Sequence, residues 1–378
     1  MHFIVSSGSL LKNLQMISGI INPNSVLPIL ENFLLDISNN QLKITAADME
    51  TMIQVQMDVQ VSETSSQDNI KICIPANLII NYLKNLSEQP INFIINPEDY
   101  SFEISSSTGK YKIGGENGME YPKWPMLSEN VERFEMNSIH LIEAINKTLF
   151  ATSTDNLRPA MTGVYFEFEE NGLTFVSTDA HRMVKFSRSD ISCPDEGGII
   201  IPKKPLTQLK NMLPTDETPI KISFNESHLY VENDSIKLNC RLIDGKFPPY
   251  KAVIPQDNPY DLIINRAELI SGLRRVSVFA NKSTHQVLFD IIGNSLSISA
   301  QDLDFSYEGR ETLNVQYSGE DMKIAFNSKL LIEMMNNFDG EEVKLELSMP
   351  SKAGVFRATE EVENEDFLML LMPLIVGV

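Results

Sequence analysis

The sequence predicts an α+β fold built three times over, and three observations carry that reading. The string Asn, any residue, Leu, any five residues, Asp occurs at Asn40/Leu42/Asp48, at Asn171/Leu173/Asp179 and at Asn294/Leu296/Asp302. Each copy is followed by a second shared block: Ile72-Cys-Ile-Pro75 before 78–83, Ile200-Ile-Pro202 before 206–209, and Ile324-Ala-Phe-Asn327 before 330–334. In every copy, strand-like alternation brackets two segments with helical apolar spacing. The copies recur at roughly 125 to 130 residues, far beyond solenoid periods and long enough for each to bury its own core. The expected domains are 1–127, 128–255 and 256–378.

Taken in order, the spacing predicts helices over 8–19, 76–86, 137–151, 202–213, 266–281 and 327–338, with Asn137, Pro202 and Asn327 as starts. The runs 164–168, 173–177, 220–224 and 343–347 alternate apolar and polar residues, as strands of antiparallel sheets with one face on helices do. Asn39-Asn40, Glu170-Asn171-Gly172 and Gly293-Asn294 supply hairpin turns. Each repeat therefore reads as two helices packed on antiparallel sheet.

Composition is that of an ordinary globular chain, 42% hydrophobic and 22% charged, with no low-complexity tract. The first residues lack a secretory pattern, and the longest apolar stretch, 367–378, is interrupted by Pro373 and too short to span a bilayer. A cytoplasmic location is expected. Cys73, Cys193 and Cys240 are odd in number, widely spaced and set in apolar strand-like runs, which suits buried thiols better than disulfides or a metal site.

A net charge of −20 argues against a nucleic-acid partner until its distribution is considered. The expected helices carry Lys12, Lys84, Lys147, Lys203, Lys204, Lys210, Arg266, Arg274, Arg275 and Lys329, against only Glu143, Glu268 and Glu333. The rest of the chain holds 21 basic and 48 acidic residues. Helices favour Lys and Arg and turns favour Asp, which accounts for part of this skew, but Glu is an equally good helix former and is nearly absent. The segregation points to helices facing a polyanion, with duplex DNA the candidate; an acidic scaffold whose helices bind protein is the other reading.

An enzyme would have to be built from Asp179 and His181 with Ser177 or Cys193, yet the other repeats have Met49-Glu50 and Leu303-Asp304 after the matching Asp. There is no phosphate-binding GxxxxGK[ST] loop, HExxH, GxSxG or CxxC. A non-catalytic protein without cofactor is expected.

Several stretches then become recognisable: Leu27-Pro-Ile-Leu30, Arg158 with Gly163, Thr178-Asp-Ala-His-Arg182, Leu242-Ile-Asp-Gly-Lys-Phe-Pro248 with Tyr250, Tyr317-Ser-Gly319 and Met372-Pro373. In their order, spacing and threefold setting the chain resembles the bacterial β sliding clamps of DNA polymerase III over essentially its whole length. The resemblance implies a head-to-tail homodimer closed into a ring, a processivity factor that encircles DNA and tethers the polymerase, clamp loader and repair proteins. Twelve helices about 10 Å across would enclose a bore of roughly 28 Å, wide enough for a hydrated duplex. Tyr111 and Ile113 would meet Val278 and Phe279 of a second copy, unless these four fill their own domain cores. The resemblance further implies a cleft for short apolar partner peptides formed by Arg158, Met161, Thr178, Ala180, His181, Arg182, Met183, Pro248, Val253, Leu330, Leu370, Met372, Pro373 and Leu374. Its apolar walls and adaptable Met residues suit peptides of differing shape. The chain departs from the family pattern at Ala180, where Gly is common, at Pro159 and Ala160, where aromatic residues are, and at Ile375, where a base is. It also runs on through Val376, Gly377 and Val378, and its loop 22–25 lacks the Arg that some relatives place near DNA.

Overall fold

The computed structural model describes residues 1–62, 69–126, 131–193 and 196–375; the expected boundary near 127 and the tail 376–378 lie outside them. Six helices form within a residue or two of the expected starts: α1 (Ser7–Ser18), α2 (Ala76–Lys84), α3 (Ser138–Thr148), α4 (Lys203–Met212), α5 (Arg266–Val276) and α6 (Ser328–Asn336). Local chemistry sets their beginnings. The Ser6 side chain accepts from Ser9 N ahead of α1, Asn265 does the same from Glu268 N ahead of α5, and Asn327 accepts from both Lys329 N and Leu330 N at α6. The fifth helix is shorter than expected. It stops at Val276 and tightens into a 3₁₀ turn over Ser277–Phe279, where the Ser277 hydroxyl donates to Arg274 O. Asn281 is outside the helix, and its side chain accepts from Ser283 N and Thr284 N to turn the chain.

Among the described residues sheet outweighs helix, and every strand pair is antiparallel. The repeated motif has a structural meaning. Leu42, Leu173 and Leu296 are all fully buried core residues. Asp48 Oδ1 accepts from Glu50 N and Thr51 N, Asp179 Oδ1 from His181 N and Arg182 N, and Asp302 Oδ1 from Asp304 N, so each Asp ties the turn between its strand and the next. Asn40 and Asn294 each accept, through Oδ1, from the backbone of a strand that crosses behind them, at Val61 N and Tyr317 N. Asn39 and Asn40 adopt positive φ in their hairpin, as the sequence suggests, and Gly293 does so at the matching turn of the third repeat.

The chain divides into two compact units, Met1–Ile142 with Lys204–Leu242, and Glu143–Lys203 with Ile243–Val378. In the first unit, strand Thr51–Asp58 of the first repeat pairs with Ile236–Arg241 of the second, and a nine-stranded sheet runs through both. A five-stranded sheet beside it ends on Lys110–Gly114. The second unit is built alike. Strand Arg182–Arg188 pairs with Glu365–Leu371 inside another nine-stranded sheet, and a four-stranded sheet ends on Tyr307–Asn314.

Two expectations need correction. Gly172–Thr178 is buried on both faces, not one. Its polar side chains are satisfied internally: Thr174 Oγ1 meets Ser187 Oγ at 2.8 Å, Ser177 Oγ donates to Thr148 O at 2.6 Å, and Thr178 Oγ1 donates to Arg182 O at 2.7 Å. Cys73 and Cys240 are buried on strands, but Cys193 is half-buried in the segment after Arg182–Arg188. Polar flanks at Ser192 and Asp190 leave that segment too little apolar surface to pair into a sheet.

Candidate functional site

All fourteen expected cleft residues lie in the second unit; two of them, Met183 and Leu370, belong to one small core, while Leu330 packs on the larger core of the third repeat. Met183 and Leu370 face each other across paired strands and are buried with Val176, Ile200, Phe247 and Tyr250; Ala160 packs at the edge of this cluster. Tyr165 stacks on Phe247 at 4.9 Å, so this small core is partly aromatic, a feature not foreseen from the sequence. The Tyr250 hydroxyl donates to Glu167, and burial, reinforced by that carboxylate, raises its pKa. Lys251 bonds Glu169 Oε1 at 2.7 Å and Glu167 Oε1 at 3.1 Å.

Among the other expected cleft residues, Pro248, Leu330, Pro373 and Leu374 are half-buried, while Val253 and Met372 are exposed at 53% and 43%. Met372 N donates to His181 O at 2.8 Å, and Leu374 N donates to Ala325 O at 2.8 Å, just before α6. The C-terminal segment is thereby stitched between the 178–182 turn and the third repeat's sheet. Arg158 projects from a turn it shares with Met161, its Nε on Asp155 Oδ2 at 3.0 Å. Ala180 sits at φ +75°, the left-handed region, which explains why glycine suits this position and marks its backbone as strained.

Arg182 is a buried anchor and not an exposed contact. Its guanidinium bonds Asp179 Oδ2 at 3.0 Å, Glu333 Oε2 of α6 at 2.9 Å and Phe150 O at 2.9 Å, and lies 5.1 Å from the Phe150 ring. Asp179 belongs to the repeated motif, but Glu333 and Phe150 carry no signal in the sequence that ties them to it.

The cationic helices separate into three groups. Lys147 contradicts expectation outright: it is 7% exposed, with Nζ 2.8 Å from Glu143, 3.0 Å from Glu365 and 4.4 Å above the Phe186 ring. Burial lowers its pKa, but the two carboxylates outweigh this and raise it overall. Arg188 completes the cluster, contacting Glu365 at 2.7 Å and Glu143 at 3.2 Å. Lys147 is therefore a core cation, unavailable to a phosphate. Lys204, Arg266 and Arg275 are at the surface but engaged. Lys204 Nζ holds Asp48 and Ile20 O, Arg266 caps carbonyls at Met335 and Gly340, and Arg275 forks onto Glu311. Lys12, Lys84, Lys203, Lys210, Arg274 and Lys329 are exposed on their helices, and Arg274 also donates to Asn336 Oδ1 at 3.3 Å.

The four residues expected at a subunit contact are surface residues. Tyr111 is 43% exposed, Val278 75% and Phe279 39%, and Ile113 is half-buried on the same edge strand as Tyr111, so none of them fills its own core completely. The imagined catalytic set does not assemble. Asp179 is bonded to backbone and Arg182, Ser177 is buried on Thr148 O, and burial pushes the Cys193 thiol up to about 11. Among the described residues no helix is long and apolar enough to cross a membrane.

Family models of the DNA polymerase III beta subunit match the chain in three successive pieces: the N-terminal domain over residues 1–125, the central domain over 135–249 and the C-terminal domain over 251–375. Among curated proteins, the beta sliding clamp of Haemophilus influenzae is 27% identical over 369 residues, covering 98% of this chain and 99% of that protein. That of Chlamydia pneumoniae is 27% identical over 377 residues, with 99% of each covered. Among solved structures, a sliding clamp from Pseudomonas aeruginosa bound to griselimycin superposes with a TM-score of 0.92 at 22% identity, and the DNA polymerase III beta subunit of Thermotoga maritima with 0.88 at 24%, each over the whole of both chains. These likenesses establish the three-domain fold of mainly antiparallel sheet. With the three models matched in order from residue 1 to residue 375, the chain belongs to the DNA polymerase III beta subunit family, the bacterial beta sliding clamps.

Proposed function

We propose that two copies of this chain close head to tail into a ring around duplex DNA, slide on it without reading sequence, and hold the replicative polymerase, clamp loader and repair proteins through short apolar peptides. The family is that of a non-catalytic processivity subunit, so retention on DNA is topological and needs no chemistry at a residue. The observation that carries the reading is the charge separation: six exposed bases on the helices of a chain whose net charge is −20. Weak phosphate contacts of that kind allow sliding, because none is tied to a base edge. The three domains are taken as 1–127, 128–255 and 256–378, and the exposed apolar residues Tyr111, Val278 and Phe279 as part of the contact between copies.

The peptide cleft is assigned to the same fourteen residues, with Met183 and Leu370 as its buried members. Support comes from the partly aromatic core in which Met183 and Leu370 are buried, from the exposed Val253 and Met372, and from the griselimycin complex of the Pseudomonas aeruginosa relative, which is consistent with a ligand-accepting clamp. One experiment tests the whole reading. Protein loaded onto nicked circular DNA should co-elute with it through gel filtration and be lost once the circle is linearised. Equal retention on linear and circular DNA points to a scaffold held by ordinary affinity, and removes the ring. Deleting 372–378 should abolish capture of polymerase peptides while leaving ring formation intact.

A further inference from the structure

Internal repetition gives the small core of the second unit a counterpart in the first. Pro28-Ile-Leu30 stands where Pro159-Ala-Met161 does, Leu34 pairs with Cys73 as Tyr165 pairs with Ile200, and Met52 pairs with Asn239 as Met183 does with Leu370. The run Tyr121-Pro-Lys-Trp124 corresponds to Phe247-Pro-Pro-Tyr250. Together these residues make a buried cluster of Leu30, Ala47, Met52, Cys73 and Tyr121, with Ile29, Leu34 and Trp124 packed against it. Even the closing bond is shared: Arg241 N donates to Glu50 O at 2.8 Å, as Met372 N does to His181 O.

Two features mark this copy as more than a structural remnant. The first is apolar surface. Among its described residues the first unit exposes eight large apolar side chains, and five of them, Val26, Leu27, Met49, Met119 and Met126, lie within three residues of a cluster residue along the chain. Such a concentration marks a contact surface, and the three Met side chains adapt to partners of differing shape. The second is charge. Leu27, Glu31, Glu50 and Glu120 stand where the second repeat has Arg158, Thr162, His181 and Lys246, while Lys123 and Arg241 replace Pro249 and Met372. These six matched positions pass from a net of +2 to −1. Burial pushes the Cys73 thiol up to about 12, and Glu116 and Glu120 add to the effect, so Glu116 is a further carboxylate bearing on this core. Resting on the peptide reading of the second unit's cleft, we propose that its first-unit copy is a second peptide site, which takes a short apolar segment bearing Lys or Arg. The apolar side chains of that segment cover Leu27, Met49 and Met119, and its bases face Glu50 and Glu120.

Trp124 is the chain's only tryptophan and lies at the edge of this cluster, so its emission reads the site directly. The probe is a tryptophan-free peptide, Lys-Leu-Lys-Leu-Phe-Lys, titrated into the full chain, with the peptide carrying Glu in place of each Lys as comparison. The Lys peptide should shift Trp124 emission saturably, and equally well in the chain lacking 372–378. Glu50→Lys with Glu120→Lys should raise its Kd about tenfold and let the Glu peptide bind in its place. Glu217→Lys with Asp234→Lys makes the same change of net charge at exposed positions that do not flank this core, and should alter the Kd less than about twofold. Met49→Ser, on an exposed turn, should weaken the Lys peptide about threefold. A Trp124 emission that does not shift saturably, or equal losses from the two charge reversals, overturns the site and leaves the second unit's cleft standing. Polymerase-peptide capture that survives deletion of 372–378 contradicts the cleft reading instead, and the first-unit site is then still decided by the Trp124 titration.

Discussion

Replacing Lys147 by Met separates a core cation from a DNA-facing one. The side chain is 9% exposed, with its ammonium between Glu143 and Glu365, while Asp339 at 3.6 Å is largely in water and counts for little. Removing one member of a buried ion pair costs about 3–5 kcal/mol when the other is left alone. Here both carboxylates keep Arg188, which reduces the cost to about 2 kcal/mol, and the lost cation above Phe186 adds about 1 kcal/mol. Methionine preserves the stem packing, so about 3 kcal/mol is expected in all. Since several domains rule out a single unfolding transition, the loss is best read as amide exchange in strands Arg182–Arg188 and Glu365–Leu371, where protection should fall by roughly a hundredfold. The log–log salt slope of DNA binding should not change, whereas Lys210→Ala should reduce it by about 0.9. A loss below about 1 kcal/mol, or a drop in salt slope like that of Lys210→Ala, would refute the assignment of Lys147 to the core.

Arg182→Ala should destabilise the second unit by about 4 kcal/mol, because Asp179 and Phe150 O lose a buried partner, while Glu333→Gln costs under about 1 kcal/mol because Glu333 is half in solvent. Exchange protection of the 182–188 strand distinguishes the two; equal effects would count against Arg182 as the anchor. Burial pushes the Asp366 carboxyl up, but Lys185 and Arg357 outweigh this and hold it below its ordinary value. A depressed carboxylate contributes stability above its unfolded pKa and loses it as pH falls through the folded one. Asp366→Asn should therefore cost up to about 1 kcal/mol at pH 7, the residue being half exposed, and the deficit should vanish in strong acid. A deficit that persists there points to packing instead of charge.

Much of the fold was legible because its signals are local. The Asn, Leu and Asp of the repeated string hold a crossing strand, a core position and a turn, all within a few residues of themselves or along one hairpin. The start of α6 followed from the capping side chain of Asn327, and the helix expected to run past Val276 failed where Ser277 and the β-branched Val278 tightened the last turn. Long-range partners were invisible. Lys147 sits at ordinary helical spacing, and only Glu365, 218 positions away, turns it inward. Arg182 likewise reads as a surface cleft residue until Glu333, 151 positions away, is brought against it. The aromatic part of the small core was missed because Tyr165 lies on a strand remote in sequence from Phe247 and Tyr250, with no period to link them.

The compact units run half a repeat out of step with the copies in the sequence, and this bears on how such chains can be cut or recombined. A fragment trimmed to the middle repeat alone would carry raw margins at 182–188 and 236–241, each built to receive a neighbour's strand, and would be prone to stick to itself. A hybrid that exchanged whole repeats between distant relatives would place a foreign seam inside a continuous nine-stranded sheet. Splices near 142/143, 203/204 and 242/243 would instead keep each seam within one parent, so functional chimaeras should tolerate breakpoints in the interior of the second repeat better than at its ends.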